Sequence, residues 1–146
     1  MMIQNDFLGI KMIELQGMDM TQEEIIKSIC HVARDYGSPI YFSENQRQNI
    51  SRNIKKLKLE EQIRIDHLIN YINNHSELIE KWIGYCEDKR GGVPVYFTRK
   101  KEEFIFGIFD ERINKSRPVL ILKTPELPCV MFIIFELGLE ENFFPV

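Results

Sequence analysis

Residues 118–139, PVLILKTPELPCVMFIIFELGL, form the densest apolar run in the chain. Within them 119–122 (VLIL) is short, continuous and branched, the pattern of a strand covered on both faces. Thr124 and Pro125 then read as a helix start. The threonine hydroxyl can accept from an unpaired first-turn amide, and proline at the first helical position gives up only an amide that has no partner there. Pro128 still falls within the tolerated first turn. From Cys129 to Leu137 nearly every residue is apolar, and Gly138 stands where a left-handed cap is expected, so the pattern predicts a short helix buried almost all round. The branched and aromatic residues of 130–135 equally allow a second central strand. In either form the run is core, and it falls short of the roughly 20 apolar residues that cross a bilayer.

Toward the N-terminus, Gly91 and Gly92 mark a switch from helix to strand. Residues 93–98 and 104–109 flank the charged tip Arg99, Lys100, Lys101, Glu102 and Glu103, which predicts a hairpin over about 93–109 with a turn of about five residues. Residues 110–117 form a polar connection to a strand at about 118–123. Further back, Thr21 and Glu24 make a capping box, and Ile25, Ile29, Val32, Ala33 and Tyr36 follow at helical spacing up to Gly37. His31 falls off that stripe and is expected at the surface; Cys30, on its margin, is expected as a small buried hydrophobe. Ser38 and Pro39 break the chain, and no Gly or Pro follows until Gly84.

Ser43 with Gln46 offers a second capping box, after which Ile50, Ile54, Leu57, Ile65, Leu68 and Ile72 keep helical phase with Glu61 in an apolar slot. Leu59 and Ile63 lie on the opposite side. Residues 44–73 are therefore one long helix or two that meet near Lys58 and Leu59. Ser76 is placed to cap a further helix through Tyr85 that carries Leu78, Ile79, Trp82 and Ile83. At the start, Leu8, Ile10 and Met12 alternate, and 7–15 leans to a strand. The expected fold is a single α+β domain over 1–146: an N-terminal helical part, an antiparallel sheet of three or four strands and a buried C-terminal helix.

A chain of 146 residues, 44% hydrophobic and 28% charged, can bury a core without staples. Cys30, Cys86 and Cys129 are odd in number and widely spaced, which points away from a disulfide framework and toward a reducing compartment, the cytoplasm by default. The first fifteen residues lack the basic region, apolar stretch and cleavage site of a signal peptide, so no processing is expected. The net charge of −3 does not favour a general nucleic-acid binder. Charge is nevertheless segregated: both ends are acidic, whereas Arg47, Arg52, Lys55, Lys56 and Lys58 fall together without a carboxylate, and Arg99, Lys100 and Lys101 make a second basic cluster.

No chemical motif stands out. His31, His67, His75 and the cysteines show no metal-ligand spacing, and Gly91 and Gly92 precede a strand, so neither a metal site nor a phosphate cradle is expected. Cys86 sits beside Glu87 and Asp88, which raise a thiol pKa, and Cys129 lies in the apolar run, so neither reads as a nucleophile. Asp110 with the later Ile121, Leu122 and Lys123 has the outline of a metal-dependent nuclease, but Ile121 stands where the second acid belongs. Asp110, Glu111 and Arg112 remain the best polar cluster at a strand end. No catalytic, cofactor-binding or metal-binding residue is assigned.

In size, charge and its Ile-, Lys- and Asn-rich composition, the chain resembles the small bacterial immunity proteins that neutralise cognate toxins in contact-dependent growth inhibition and related polymorphic toxin systems. The resemblance implies a tight one-to-one complex with a toxin domain, often a basic nuclease covered by acidic side chains. The expected partner-binding residues are Glu136, Glu140 and Glu141 with Phe143 and Phe144, followed by Asp110 and Glu111, since an acidic surface steers a basic partner and aromatic anchors supply affinity. Two other readings stay open: a nucleic-acid-associated regulator or phage-type accessory protein using 47–58 and the 99–101 tip, and an enzyme whose site gathers Asp110, Arg112 and His67 or His75. No membrane partner is expected, and the oligomeric state is open.

Overall fold

The computed structural model describes residues 19–32, 44–89 and 92–144. The expected features at 7–15, Ala33, Tyr36, Ser38, Pro39, Ser43 and Gly91 lie outside them. The described elements are α1 (Gln22–Cys30), α2 (Glu44–Lys56), a 3-10 turn (Leu59–Glu61), α3 (Ile65–Asn74), α4 (Glu77–Asp88), β1 (Val95–Lys100), β2 (Glu103–Asp110), β3 (Lys115–Leu122), α5 (Glu126–Glu136) and α6 (Glu140–Phe143). The strands form an antiparallel sheet in the order β1-β2-β3. This is the expected α+β fold, helical toward the N-terminus and closed by a C-terminal helix.

The helical part follows its local signals closely. Thr21 and Glu24 form the reciprocal capping box, Thr21 Oγ1 accepting from Glu24 N at 3.2 Å and Glu24 Oε1 from Thr21 N at 2.8 Å. Residues 44–73 resolve into two helices, and the break needs neither glycine nor proline. The Gln62 side-chain amide donates to Leu57 O at 2.7 Å, satisfying a carbonyl at the end of α2, and His67 Nδ1 accepts from Arg64 N at 2.9 Å to open α3. The apparent helical phase across the break is a coincidence of spacing: Leu59 is left 88% exposed, while Ile63 turns inward. Ser76 occupies the N-cap of α4, but its side chain makes no cap hydrogen bond, so that helix rests on packing of Leu78, Ile79, Trp82 and Ile83.

Trp82 fills the centre and donates from Nε1 to the Cys30 carbonyl at 2.9 Å, tying α4 to the end of α1. Two asparagines of α2 are buried with partners: Asn53 Oδ1 accepts from Met20 N at 2.9 Å, and Asn53 Nδ2 donates to Asn49 O at 2.8 Å. His31 is not at the surface. Its off-stripe side is covered by α3, where Nε2 lies 2.6 Å from the Tyr71 hydroxyl and the ring packs edge-on to Tyr71 and His75. A helix contacted on two sides has no solvent face for that residue, whatever its place on the stripe.

The run at 126–136 is a helix and not a strand. Pro125 itself takes the N-cap position, one residue later than the expected Thr124 cap, and no side chain caps the helix. Its C-terminus closes as expected: Gly138 takes φ +69°, Gly138 N donates to Phe135 O at 3.2 Å and Leu139 N to Ile134 O at 2.9 Å. That is the double bond pattern of a glycine-terminated helix with a buried residue following, here Leu139. Val130, Phe132, Ile133 and Ile134 are wholly buried. The helix lies on one face of the sheet, where Phe132 meets Phe97 at 6.3 Å between centroids and Phe135 meets Phe106 at 5.7 Å. Each such side chain contributes about 1.5–3 kcal/mol by leaving water.

The sheet departs from expectation at both turns. The hairpin turn is two residues, Lys101 and Glu102, because the strands pair as far as Lys100 with Glu103; Lys101 takes φ +60°. The second connection is a tight turn at 111–114 with Asn114 at φ +52°, after which pairing resumes at Lys115. β3 therefore begins earlier than the apolar run, and it is not covered on both faces. It is an edge strand on which Val119 is 56% and Ile121 46% exposed.

Candidate partner-binding surface

Strand alternation turns Val95, Phe97, Phe106 and Leu120 toward α5 and their neighbours the other way. On that second face Ile105 stands opposite Ile121, Gly107 opposite both Tyr96 and Pro118, and Phe109 opposite Ser116. Tyr96 lies flat across Gly107: a Cβ built there would sit 2.4 Å from the tyrosine ring carbon Cζ. A register irregularity between Phe106 and Gly107 inserts Val119 as the extra residue of β3, so Val119 and Ile121 stand side by side at the open margin. Phe109 (38% exposed) and Ile113 (60%) continue the apolar strip around the 111–114 turn.

The two edges of the sheet are treated differently. The β1 edge is covered by α4: Phe97 N donates to Cys86 Sγ at 3.3 Å, and Arg99 Nη2 bonds Glu80 Oε1 at 3.2 Å. Arg99 holds the Glu80 carboxyl below its ordinary value by that hydrogen bond. Among the described residues β3 pairs with β2 alone. Its outer edge offers unpaired strand groups beside exposed Val119 and Ile121, the arrangement that most folded proteins cover or blunt.

The expected partner-binding residues divide among three places. Glu136 is not available to a partner: its side chain is 9% exposed, Oε1 accepts from Lys89 Nζ at 2.6 Å and Oε2 from the Tyr85 hydroxyl at 3.0 Å. Lys89 also donates to Val93 O at 2.6 Å and lies 5.3 Å from the Phe132 ring centroid, so this ion pair fastens the entry to β1 onto α5. Burial, then the Glu136 carboxylate, pushes the Tyr85 hydroxyl pKa upward, keeping it a donor. Glu140 and Glu141 lie at the C-terminal corner and act electrostatically on Arg47, which also pairs with Glu44. There Arg47, Arg52, Lys55 and Glu141 line a polar groove of about 430 Å³, so the acidic tail and the basic helix, far apart in sequence, offset each other in space. Phe143 is half-buried and Phe144 stacks on Phe135 at 6.0 Å, so the aromatic tail docks on α5.

Asp110 and Glu111 stand at the end of the apolar strip. Asp110 is tied down by Arg112, which donates from backbone N at 3.1 Å and from Nη2 at 3.2 Å and lowers the carboxyl pKa. The residues offered for an enzyme site do not assemble: His67 lines a groove of about 330 Å³ between α1 and α3 that contains neither Asp110 nor Arg112, and His75 stacks on Tyr71. Burial raises the thiol pKa of Cys30, Cys86 and Cys129, which leaves them as packing residues. Among the described residues no three His, Cys, Asp or Glu side chains converge to hold a metal ion, and no helix is long and apolar enough to cross a membrane. The exposed margin Val119 and Ile121 escaped the sequence reading because an edge strand and a central strand can carry the same apolar run; the basic residues Lys115 and Arg117 just before it were the available signal.

The chain matches no protein-family model, no curated protein and no solved structure.

Proposed function

We propose that the chain is a protein-binding inhibitor, an immunity protein that neutralises a cognate bacterial toxin by forming a one-to-one complex. The supporting observation is the uncovered apolar margin of the sheet, with Phe109, Ile113, Val119 and Ile121 clustered around one strand edge and one turn. Large side chains left in water cost solubility, and a group of them at one margin of a sheet is a ready contact for another protein. The resemblance in size and composition to immunity proteins supplies the class of partner. Capture with the tagged full-length chain from its native host, at moderate and high salt and after nuclease treatment, tests this. A single stoichiometric protein surviving both treatments, whose toxicity the chain suppresses on co-expression, is the expected result. Nucleic acid lost at high salt would favour the basic groove at Arg47, Arg52 and Lys55 instead.

A further inference from the structure

The charge around the open edge specifies its partner more narrowly. Residues 95–123 carry seven basic residues against four carboxylates, a net +3 in a chain of net −3, so the sheet is a second basic region of the molecule besides residues 47–58. Two of the seven cations are already held, Arg99 by Glu80 and Arg112 by Asp110, which leaves the edge strand's own cations to face a partner. Along 115–123 the charges are Lys115, Arg117 and Lys123, with no carboxylate among them.

The edge itself is blunted at one end and open at the other. Pro118 has no N–H to donate, and the bulge beside it breaks the regular ladder, while lysine and arginine flank both. From Val119 to Leu122 no described residue pairs with it. Two pairings with a second copy of this chain are disfavoured: antiparallel pairing about Val119 would set Lys115 against Lys123 at both ends, and parallel pairing in register would set each cation against itself.

Resting on the protein-binding reading, we propose that the outer edge of β3 from Val119 to Leu122 receives an extended segment of the partner protein whose apolar residues are flanked by carboxylates. The segment adds as a fourth strand: backbone pairing along Val119–Leu122 supplies the attachment, alternate apolar side chains lie against Ile105, Val119 and Ile121, and its acidic residues meet Lys115, Arg117 and Lys123. This places the contact on the basic edge of the sheet and not on the acidic C-terminal corner.

The test uses the full-length chain, ¹⁵N-labelled, titrated with a strand-forming peptide of alternating Val and Ile flanked by Glu, with the same peptide flanked by Lys, and with a single-stranded oligonucleotide. Expected are shifts confined to β3 and its neighbours with the acidic peptide, slowed exchange of amides at Val119–Leu122, binding at least about tenfold weaker for the basic peptide, and loss of binding in Ile121→Lys. Equal binding of both peptides, binding of neither, preferential binding of the oligonucleotide, or concentration-dependent dimerisation through β3 would each overturn the proposal. Ile121→Lys is at an exposed position, so an unchanged melting temperature confirms that the variant folds; Val119→Asp provides an independent second variant. Peptide binding without toxin neutralisation would leave this surface standing and reject the inhibitor reading, whereas neutralisation retained in both variants would do the reverse.

Discussion

The strand and the helix that residues 118–139 supply are both rich in apolar residues and have opposite fates. α5 is buried on the sheet, with Val130, Phe132, Ile133 and Ile134 wholly out of water, while β3 ends the sheet with Val119 and Ile121 about half exposed. The difference is one of position. A helix laid across a sheet can be enclosed by it, by α4 and by the C-terminal turn, but the last strand of an open sheet has one neighbour only, and its free side stays free unless another element reaches it. Apolar content therefore marks stability in one half and availability in the other.

The sharpest way to break that contrast is to truncate the buried half. Phe132→Ala, which empties the space shared with Phe97, Trp82 and Tyr85, is expected to cost about 3–5 kcal/mol, read as a lower urea midpoint at unchanged slope. A loss under about 1 kcal/mol would mean that α5 is not the centre of the core.

Nearly as large an effect is expected at the ion pair that holds α5 to the start of β1. Lys89→Met leaves Glu136 with the Tyr85 hydroxyl alone and should cost about 3 kcal/mol, whereas the paired change Lys89→Met with Glu136→Leu should recover most of it. A double-mutant cycle with no coupling would show that the two side chains do not act together.

On the open face itself, Gly107→Ala probes a place where the outer surface is tightly packed. The added methyl group collides with the Tyr96 ring, and a loss of about 1–3 kcal/mol is expected, relieved by Tyr96→Ala in the same chain. The smallest effect belongs to the margin: Ile121→Thr and Val119→Thr should each change stability by no more than about 0.5 kcal/mol, as surface substitutions do. Thermal melts of all these variants side by side would show whether the two halves differ as described; a large loss at Ile121 would mean that the edge is covered.

What could be read from sequence follows the same division. Capping boxes, helical stripes and the Gly138 terminus depend on neighbours within a few residues, and Thr21, Glu24, Trp82 and Gly138 stand as their local signals indicate. The helix caps at Ser76 and Thr124 and the length of the hairpin turn were misread locally, whereas three other misplacements depend on what lies across space. His31 is buried because α3 covers it, Glu136 is consumed by Lys89, 47 residues away in sequence, and β3 is open because no described element follows it in the sheet. The acidic C-terminal residues were legible as charge, but not their nearness to Arg47. Charge in sequence thus points to a corner where the carboxylates already face basic side chains, while the exposed strand reads as core.

The most direct measurement is the stoichiometric capture from the native host carried out in parallel with the wild-type chain and with Ile121→Lys, after confirming equal melting temperatures. The expected result is one toxin protein retained at high salt by the wild type and absent from the variant. Retention of that protein by both would contradict a partner surface at the edge of β3, and no retained protein with either would contradict the inhibitor itself.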